Sequence, residues 1–252
     1  MTSLLAFRAL RDNLIWALAD GEGSALLVDP GEAAPVHAAL DRGLSLGAIL
    51  LSHHHADHVD GAAELAERTG VPVFAPDDSR IRALHRAVGG GERFTVDGRT
   101  VDVLAVPGHT RTHIAFHVDG HLFSGDTLFS LGCGRMFEGT PAQMWSSLQS
   151  LAALPPGTRV CCGHEYTLAN GVFAKAAEPH NAEREAWLAE ARRRLAAGQP
   201  SLPSTIEVER AANPFLRCAL PAVQATLRER GDDFDDPVQA FAALRRWKDG
   251  FA

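Results

Sequence analysis

The stretch that decides the fold is Ser52-His53-His54-His55-Ala56-Asp57-His58, which follows the apolar run AILLS at residues 48–52. A short apolar run bounded by turn residues reads as a buried strand. Behind it a helix is predicted over about residues 59–69, ended by Gly70 and Pro72. The pattern H-x-H-x-D-H therefore lies between a strand and a helix. In extended chain, residues two apart share a face, so His53 and His55 can meet one cation while His54 points elsewhere. Asp57 and His58 come where the chain turns into the helix and can address a second cation. Neutral imidazole and carboxylate are ligands for zinc, iron or manganese. A solvated, histidine-rich turn is the competing explanation, and the alternation of ligand types between a buried strand and a helix counts against it.

Outward from this stretch, residues 24–29 (SALLVD), 100–106 (TVDVLAV), 112–118 (THIAFHV) and 121–124 (HLFS) read as further strands, with a hairpin turn at VDG before His121. Three more strand ends each carry one ligand type: Pro107-Gly108-His109-Thr110, Ser124-Gly125-Asp126-Thr127 and Cys162-Gly163-His164. A single histidine of this kind is more often a loop or core residue than a ligand. Together they complete a set. His53, His55 and His109 are expected on one metal, Asp57, His58 and His164 on the other, with Asp126 bridging both. That count leaves a position open on each metal, which separates catalytic from structural sites. Two divalent ions about 3.5–4 Å apart can share a water and bring its pKa from about 15.7 to near neutrality. Asp29, in VDPG, reads equally as a partner of a ligand or as a turn residue.

The chain has 252 residues, 46% hydrophobic and 22% charged, an ordinary globular usage for one large domain or two. A formal net charge of -7 argues against a nucleic-acid partner, which would require clustered Lys and Arg. No stretch approaches a membrane span, and the N-terminal residues lack the pattern of a secretion signal. Four irregularly spaced cysteines (Cys133, Cys161, Cys162 and Cys218) make no disulfide framework, so a cytoplasmic location is expected. From Tyr166 onward helix formers dominate, with a clear apolar stripe over residues 182–197. The boundary is placed near 165, giving an α/β domain over 1–165 and a helical domain over 166–252.

The motifs HHHADH, PGHT, GDTLF and CGHEY, in this order, resemble the metallo-β-lactamase superfamily over most of residues 1–165. The resemblance implies an α/β (α+β) chain folded as an αββα sandwich, with the metals at one edge. It does not by itself select the reaction. GDTLFSLGCGRMFEGT (125–140), CGHEYTLAN (162–170), NPFLR (213–217) and RRWKDGF (245–251) are similar to glyoxalase II, so the likeness spans nearly the whole chain.

That family implies hydrolysis of S-(2-hydroxyacyl)glutathione thioesters such as S-lactoylglutathione, the second step of methylglyoxal detoxification. It also implies two divalent ions, with zinc expected and iron or manganese as alternatives, and catalytic roles for Asp57 and Asp126. By motif position Arg135, Phe137, Tyr166, Arg245 and Lys248 fall where the family contacts glutathione. Two positions depart from the usual pattern: Arg135 stands where lysine is common and Phe137 where tyrosine is common. Phe137 offers no hydroxyl, and Arg135 offers a planar fork rather than a compact ammonium. Tyr166 is the sole tyrosine beside 12 phenylalanines, and Lys248 is one of two lysines, so each falls at a conspicuous place.

A thiol with a pKa of about 8.5 leaves as thiolate with little need of a general acid, which suits a thioester substrate. The runner-up reading is a glutathione persulfide dioxygenase of the same superfamily, using one iron. A metal-filled but non-catalytic interaction module is a third. The chain is expected to act as a monomer, with a glutathione thioester as its partner and neither nucleic acid nor membrane.

Overall fold

The computed structural model describes residues 2–21 and 23–251. By contact density the chain falls into two compact units that interleave along the sequence. One holds the chain up to Ala105 together with Thr112–Gly125 and Gly163–Glu165. The other holds Val106–Arg111, Asp126–Cys162 and the chain from Tyr166 on.

The first unit is built on a six-stranded sheet in sequential order: Ser3–Ala9, Asn13–Ala19, Ser24–Val28, Ser45–Leu50, Val73–Ala75 and Arg86–Ala87. The first three strands pair antiparallel through hairpins, and from Ser24–Val28 onward the pairing is parallel. Parallel neighbours need a crossover, and the helices Ala34–Leu40 and Ala62–Thr69 provide two of them. Ile15, Leu27, Ile49 and Leu51 on the sheet and Val36 and Leu65 on the helices bury one common core. Each such aliphatic side chain contributes about 1.5–3 kcal/mol when fully removed from water.

A second antiparallel run follows in Arg93–Val96, Arg99–Ala105, Ile114–Val118 and His121–Gly125. Its last turn places Asp119 (φ 48°) and Gly120 (φ 71°) both in the left-handed region, the backbone a two-residue hairpin requires. Phe94 of this run stacks on Phe74 of the first sheet at 4.7 Å between ring centroids. Arg99, buried, donates to the Leu18 carbonyl at 2.6 Å and the Ser24 carbonyl at 2.7 Å, so the two layers are tied by polar as well as apolar contact.

The helix predicted over 59–69 is two elements. Ala56–Val59 forms its own turn, and Ala62–Thr69 begins after Gly61. At the break the Gly61 amide donates to the Pro30 carbonyl at 2.9 Å while the Asp57 carbonyl accepts from Asn13 at 3.1 Å, and a side chain at Gly61 would meet that Pro30 oxygen at 2.6 Å. Asp57 and His58 thus sit on a separate short helix, with His55 as its N-cap.

In the second unit helices predominate: Pro141–Ala152, Thr167–Ala177, Ala182–Ala196, Ile206–Ala212, Pro214–Arg217, Pro221–Glu229 and Pro237–Asp249. Proline opens four of them, where its missing N–H is no loss. Thr140, Asn181, Thr205, Asn213 and Asp236 accept from the first-turn amides and so cap five starts. Trp187, Leu188, Ala174, Ala212 and Leu131 form one buried cluster, and Trp145 faces Phe241 with ring centroids 6.0 Å apart. No helix among the described residues is long and apolar enough to cross a membrane.

Candidate functional site

In the first unit the strand Ser45–Leu50 delivers Leu51-Ser52-His53 into a buried position, and the chain then turns through His55 into the short helix. The rings of His53 and His55 lie 4.7 Å apart, and those of His53 and His58 4.2 Å. Asp57 Oδ2 stands 3.5 Å from His58 Nε2 and 3.4 Å from His164 Nε2. One ligand atom from each of Asp57, His58 and His164 falls within 4.8 Å of the others, the spacing of a cation cradle.

The opposite nitrogen of each ring is engaged. His58 Nδ1 meets Asp29 Oδ2 at 3.1 Å, and His164 Nδ1 meets Asp12 Oδ1 at 2.8 Å. His53 Nδ1 meets the Ser52 hydroxyl at 2.9 Å, while that hydroxyl gives its proton to Asp29 Oδ2 at 2.7 Å. An ionised carboxylate only accepts, so Nδ1 of His58 and of His164 carries the hydrogen, and their Nε2 lone pairs are directed toward Asp57. This tautomer is the one a metal ligand needs. The donor chemistry therefore fits a divalent cation.

Asp29, which the sequence leaves open between two readings, joins both rows of this arrangement. It is buried, sits at φ 51°, and also accepts from the Ser52 amide at 2.7 Å. A side chain at Gly31 would fall 1.8 Å from the Asp57 carbonyl oxygen, so only glycine lets the Asp29–Gly31 turn lie against the short helix. Asp12 and Asn13 were not singled out in the sequence. Their partners are 152 and 44 residues away, and no local pattern announces them.

The second unit carries His109 and Asp126, with Nε2 and Oδ2 at 3.4 Å. His109 Nδ1 donates to the Arg135 carbonyl at 2.8 Å, which again leaves Nε2 as the lone-pair nitrogen. The amide of Phe137 donates to the His109 carbonyl at 3.1 Å, so the segment after Arg135 is laced to the His109 loop. Gly134 is obligatory here, since a Cβ would lie 1.9 Å from the Asp126 carbonyl oxygen.

Beside this pair opens a cleft of about 450 Å³, a volume suited to a small organic ligand. His109, Asp126, Arg135, Phe137, Tyr166, Arg245 and Lys248 all line it. Their situations differ. Arg135 and Phe137 are exposed at the rim. Tyr166 stands edge-on to Phe129 at 5.3 Å between centroids. Arg245 is buried, and its Nη atoms serve the Cys133 carbonyl at 2.8 Å and Asp249 at 2.9 Å, so it shapes the wall as much as it charges it. Lys248 lies over the Phe173 ring at 5.3 Å. Burial, with the positive charges of Arg245 and Arg135, holds its ammonium below the usual lysine range.

The floor of the cleft is held by polar groups of the helical tail. Asn213 donates to the carbonyls of Phe129 at 3.1 Å and Gly132 at 2.9 Å, and Glu209 accepts from the Leu131 amide at 2.8 Å. Burial pushes the Glu209 carboxyl above its usual range. These contacts sustain Leu131 at φ 57°, a conformation a branched side chain rarely adopts.

Against known proteins, a profile described as the metallo-beta-lactamase superfamily matches residues 11–164, and one described as hydroxyacylglutathione hydrolase C-terminus matches 165–251. A hydroxyacylglutathione hydrolase of Xanthomonas oryzae pv. oryzae is 53% identical over 251 residues, 98% of each chain. Among solved structures, ETHE1 from Myxococcus xanthus aligns with a TM-score of 0.66 and 24% identity, over 97% of this chain and 96% of that one. TTHA1623 in a di-iron-bound form aligns with a TM-score of 0.54 and 32% identity, over 63% of this chain and 90% of that one.

Proposed function

Since the chain belongs to the hydroxyacylglutathione hydrolases of the metallo-β-lactamase superfamily, we propose that it hydrolyses S-(2-hydroxyacyl)glutathione thioesters, S-lactoylglutathione among them, to glutathione and a 2-hydroxy acid. The observation that carries this reading is that superfamily and hydrolase tail match in succession from residue 11 to residue 251. Its site binds divalent metal. We assign two ions, zinc in the first instance: His53, His55 and His109 to one, Asp57, His58 and His164 to the other, and Asp126 to both. Support comes from the donor chemistry, from the Asp57–His58–His164 cradle, and from a relative at 32% identity that is known in a di-iron-bound form.

When bound, such ions supply Lewis acidity and a water acidified toward neutral pH. The chain supplies orientation. Asp29, Asp12 and the Arg135 carbonyl each hold a histidine with its lone pair on Nε2. Asp57 additionally offers a carboxylate that can accept a hydrogen bond from the attacking water and so aim it. The cleft of Arg135, Phe137, Tyr166, Arg245 and Lys248 receives the glutathione half, whose carboxylates its cationic groups complement. The leaving thiolate needs no proton from the protein. Residues 166–252 serve as the glutathione-binding portion, and the enzyme works as a cytoplasmic monomer in this reading.

The dioxygenase alternative rests on superfamily membership alone, which does not choose a reaction. Metal analysis with two assays tests the proposal. Two ions per chain with thiol release from S-lactoylglutathione support it. One iron with oxygen uptake and no hydrolysis would replace it. Asp126→Ala is expected to lose metal and turnover together, and retention of both ions with full turnover would remove Asp126 from the shared position.

A further inference from the structure

Resting on the reading that divalent cations occupy this site, we infer that Asp12 and Asn13 are positioning residues that fix the donor geometry of His164 and Asp57. Asp12 stands at the return of the N-terminal hairpin, after the strand Ser3–Ala9, and Asn13 opens the strand Asn13–Ala19. Asp12 Oδ1 lies 2.8 Å from His164 Nδ1. An ionised carboxylate cannot donate, so it selects the Nδ1–H tautomer and reserves Nε2 for the cation.

Asn13, buried, uses its amide on both ends of one residue: Nδ2 donates to the Asp57 carboxylate Oδ2 at 2.9 Å and to the Asp57 backbone carbonyl at 3.1 Å. Bridging side chain and main chain in this way restrains rotation of the carboxylate about its Cα–Cβ bond. The same Oδ2 is the atom that faces Nε2 of His58 and of His164.

The backbone keeps the two contacts in step. Leu14 donates to the Gly163 carbonyl and Glu165 to the Asp12 carbonyl, each at 2.8 Å, and Asn13 bridges His164 antiparallel. His164 therefore cannot shift along the hairpin without breaking a ladder as well as a side-chain bond. One short return thus sets two ligands that lie 44 and 152 residues away in sequence. Loss of such partners typically costs about 10–100-fold in metal affinity.

The test uses Asp12→Ala, Asn13→Ala and Asp12→Asn, the last keeping a carbonyl oxygen that can accept from Nδ1–H. Zinc is titrated into the full-length proteins against a chromophoric chelator. Nitrogen NMR of the metal-free proteins reads the His164 tautomer, and melting curves of the same samples report folding. We expect wild type to bind two ions, both alanine variants to bind one of them about 10–100-fold more weakly, and Asp12→Asn to recover most of the loss. His164 should be Nδ1–H in wild type and Asp12→Asn, and mixed in Asp12→Ala. Equal zinc affinities in folded wild-type and alanine proteins would overturn the inference, as would an unchanged His164 tautomer in Asp12→Ala. Fewer than two zinc ions on wild type would instead defeat the two-cation reading, and the tautomer would still decide the role of Asp12.

Discussion

Replacing Gly31 by alanine probes how closely the turn after Asp29 is fitted to the short helix Ala56–Val59. The new Cβ would lie 1.8 Å from the Asp57 carbonyl oxygen and 2.3 Å from its carbon, whereas Cβ contacts below 3.0 Å essentially never occur. The two segments must therefore separate by about 1.2 Å. Neither can yield harmlessly. Asp57 is held at both its carbonyl and its carboxylate by Asn13, so its retreat breaks those bonds. If the turn retreats, Asp29 moves away from His58 and from Ser52. A displacement of about 1 Å at a reacting centre costs on the order of 100-fold in rate, close to 2.7 kcal/mol of barrier. Overpacking adds about 1–3 kcal/mol of lost stability. The assay is kcat/KM for S-lactoylglutathione on metal-saturated protein, with Tm followed in parallel. A Gly31→Ala protein with wild-type kcat/KM and Tm would refute the close approach and the ligand argument built on it.

Lys248 is charged below its pKa and neutral above it, and that pKa is held below the ordinary lysine value, so KM for an anionic thioester should rise with alkalinity earlier than a free lysine would allow. A KM profile between about pH 7 and 10 checks this, and Lys248→Met should flatten it and raise KM throughout. Asn213→Ala removes two donations to buried carbonyls and should cost about 1–3 kcal/mol in urea unfolding. A loss under about 0.5 kcal/mol would show the loop needs no such support. Burial pushes the Cys133 thiol up to about 11 and that of Cys218 up to about 12, so both should resist iodoacetamide at pH 8 in the native protein and react once it is unfolded. Rapid stoichiometric labelling of the folded chain, read by mass, would contradict that burial.

How much of this was legible in the sequence depended on distance along the chain. Strands such as Ile114–Val118 and His121–Gly125, and the turn between them, follow from short apolar runs and from Asp-Gly chemistry, which are local. The split of the helix after Val59 was not legible, because the Gly61 amide is taken by the Pro30 carbonyl, which is distant in sequence. Arg245 was expected as a glutathione contact, yet a guanidinium can equally be consumed by a carbonyl, and the Cys133 carbonyl is 112 residues away. His58 and His164 carried a ligand signature of their own. The carboxylates that select their tautomers, Asp29 and Asp12, carried only a faint one or none.

The loop from Leu128 to Cys133 is encoded ahead of residue 165, yet Glu209, Asn213 and Arg245 from the tail supply partners for its backbone. Recombination between relatives at the profile boundary would separate that loop from the residues that complete it. Tails should thus be heritable only together with a matching loop, and chimaeras that exchange residues 165–251 alone should be poorer than those that also exchange 126–135.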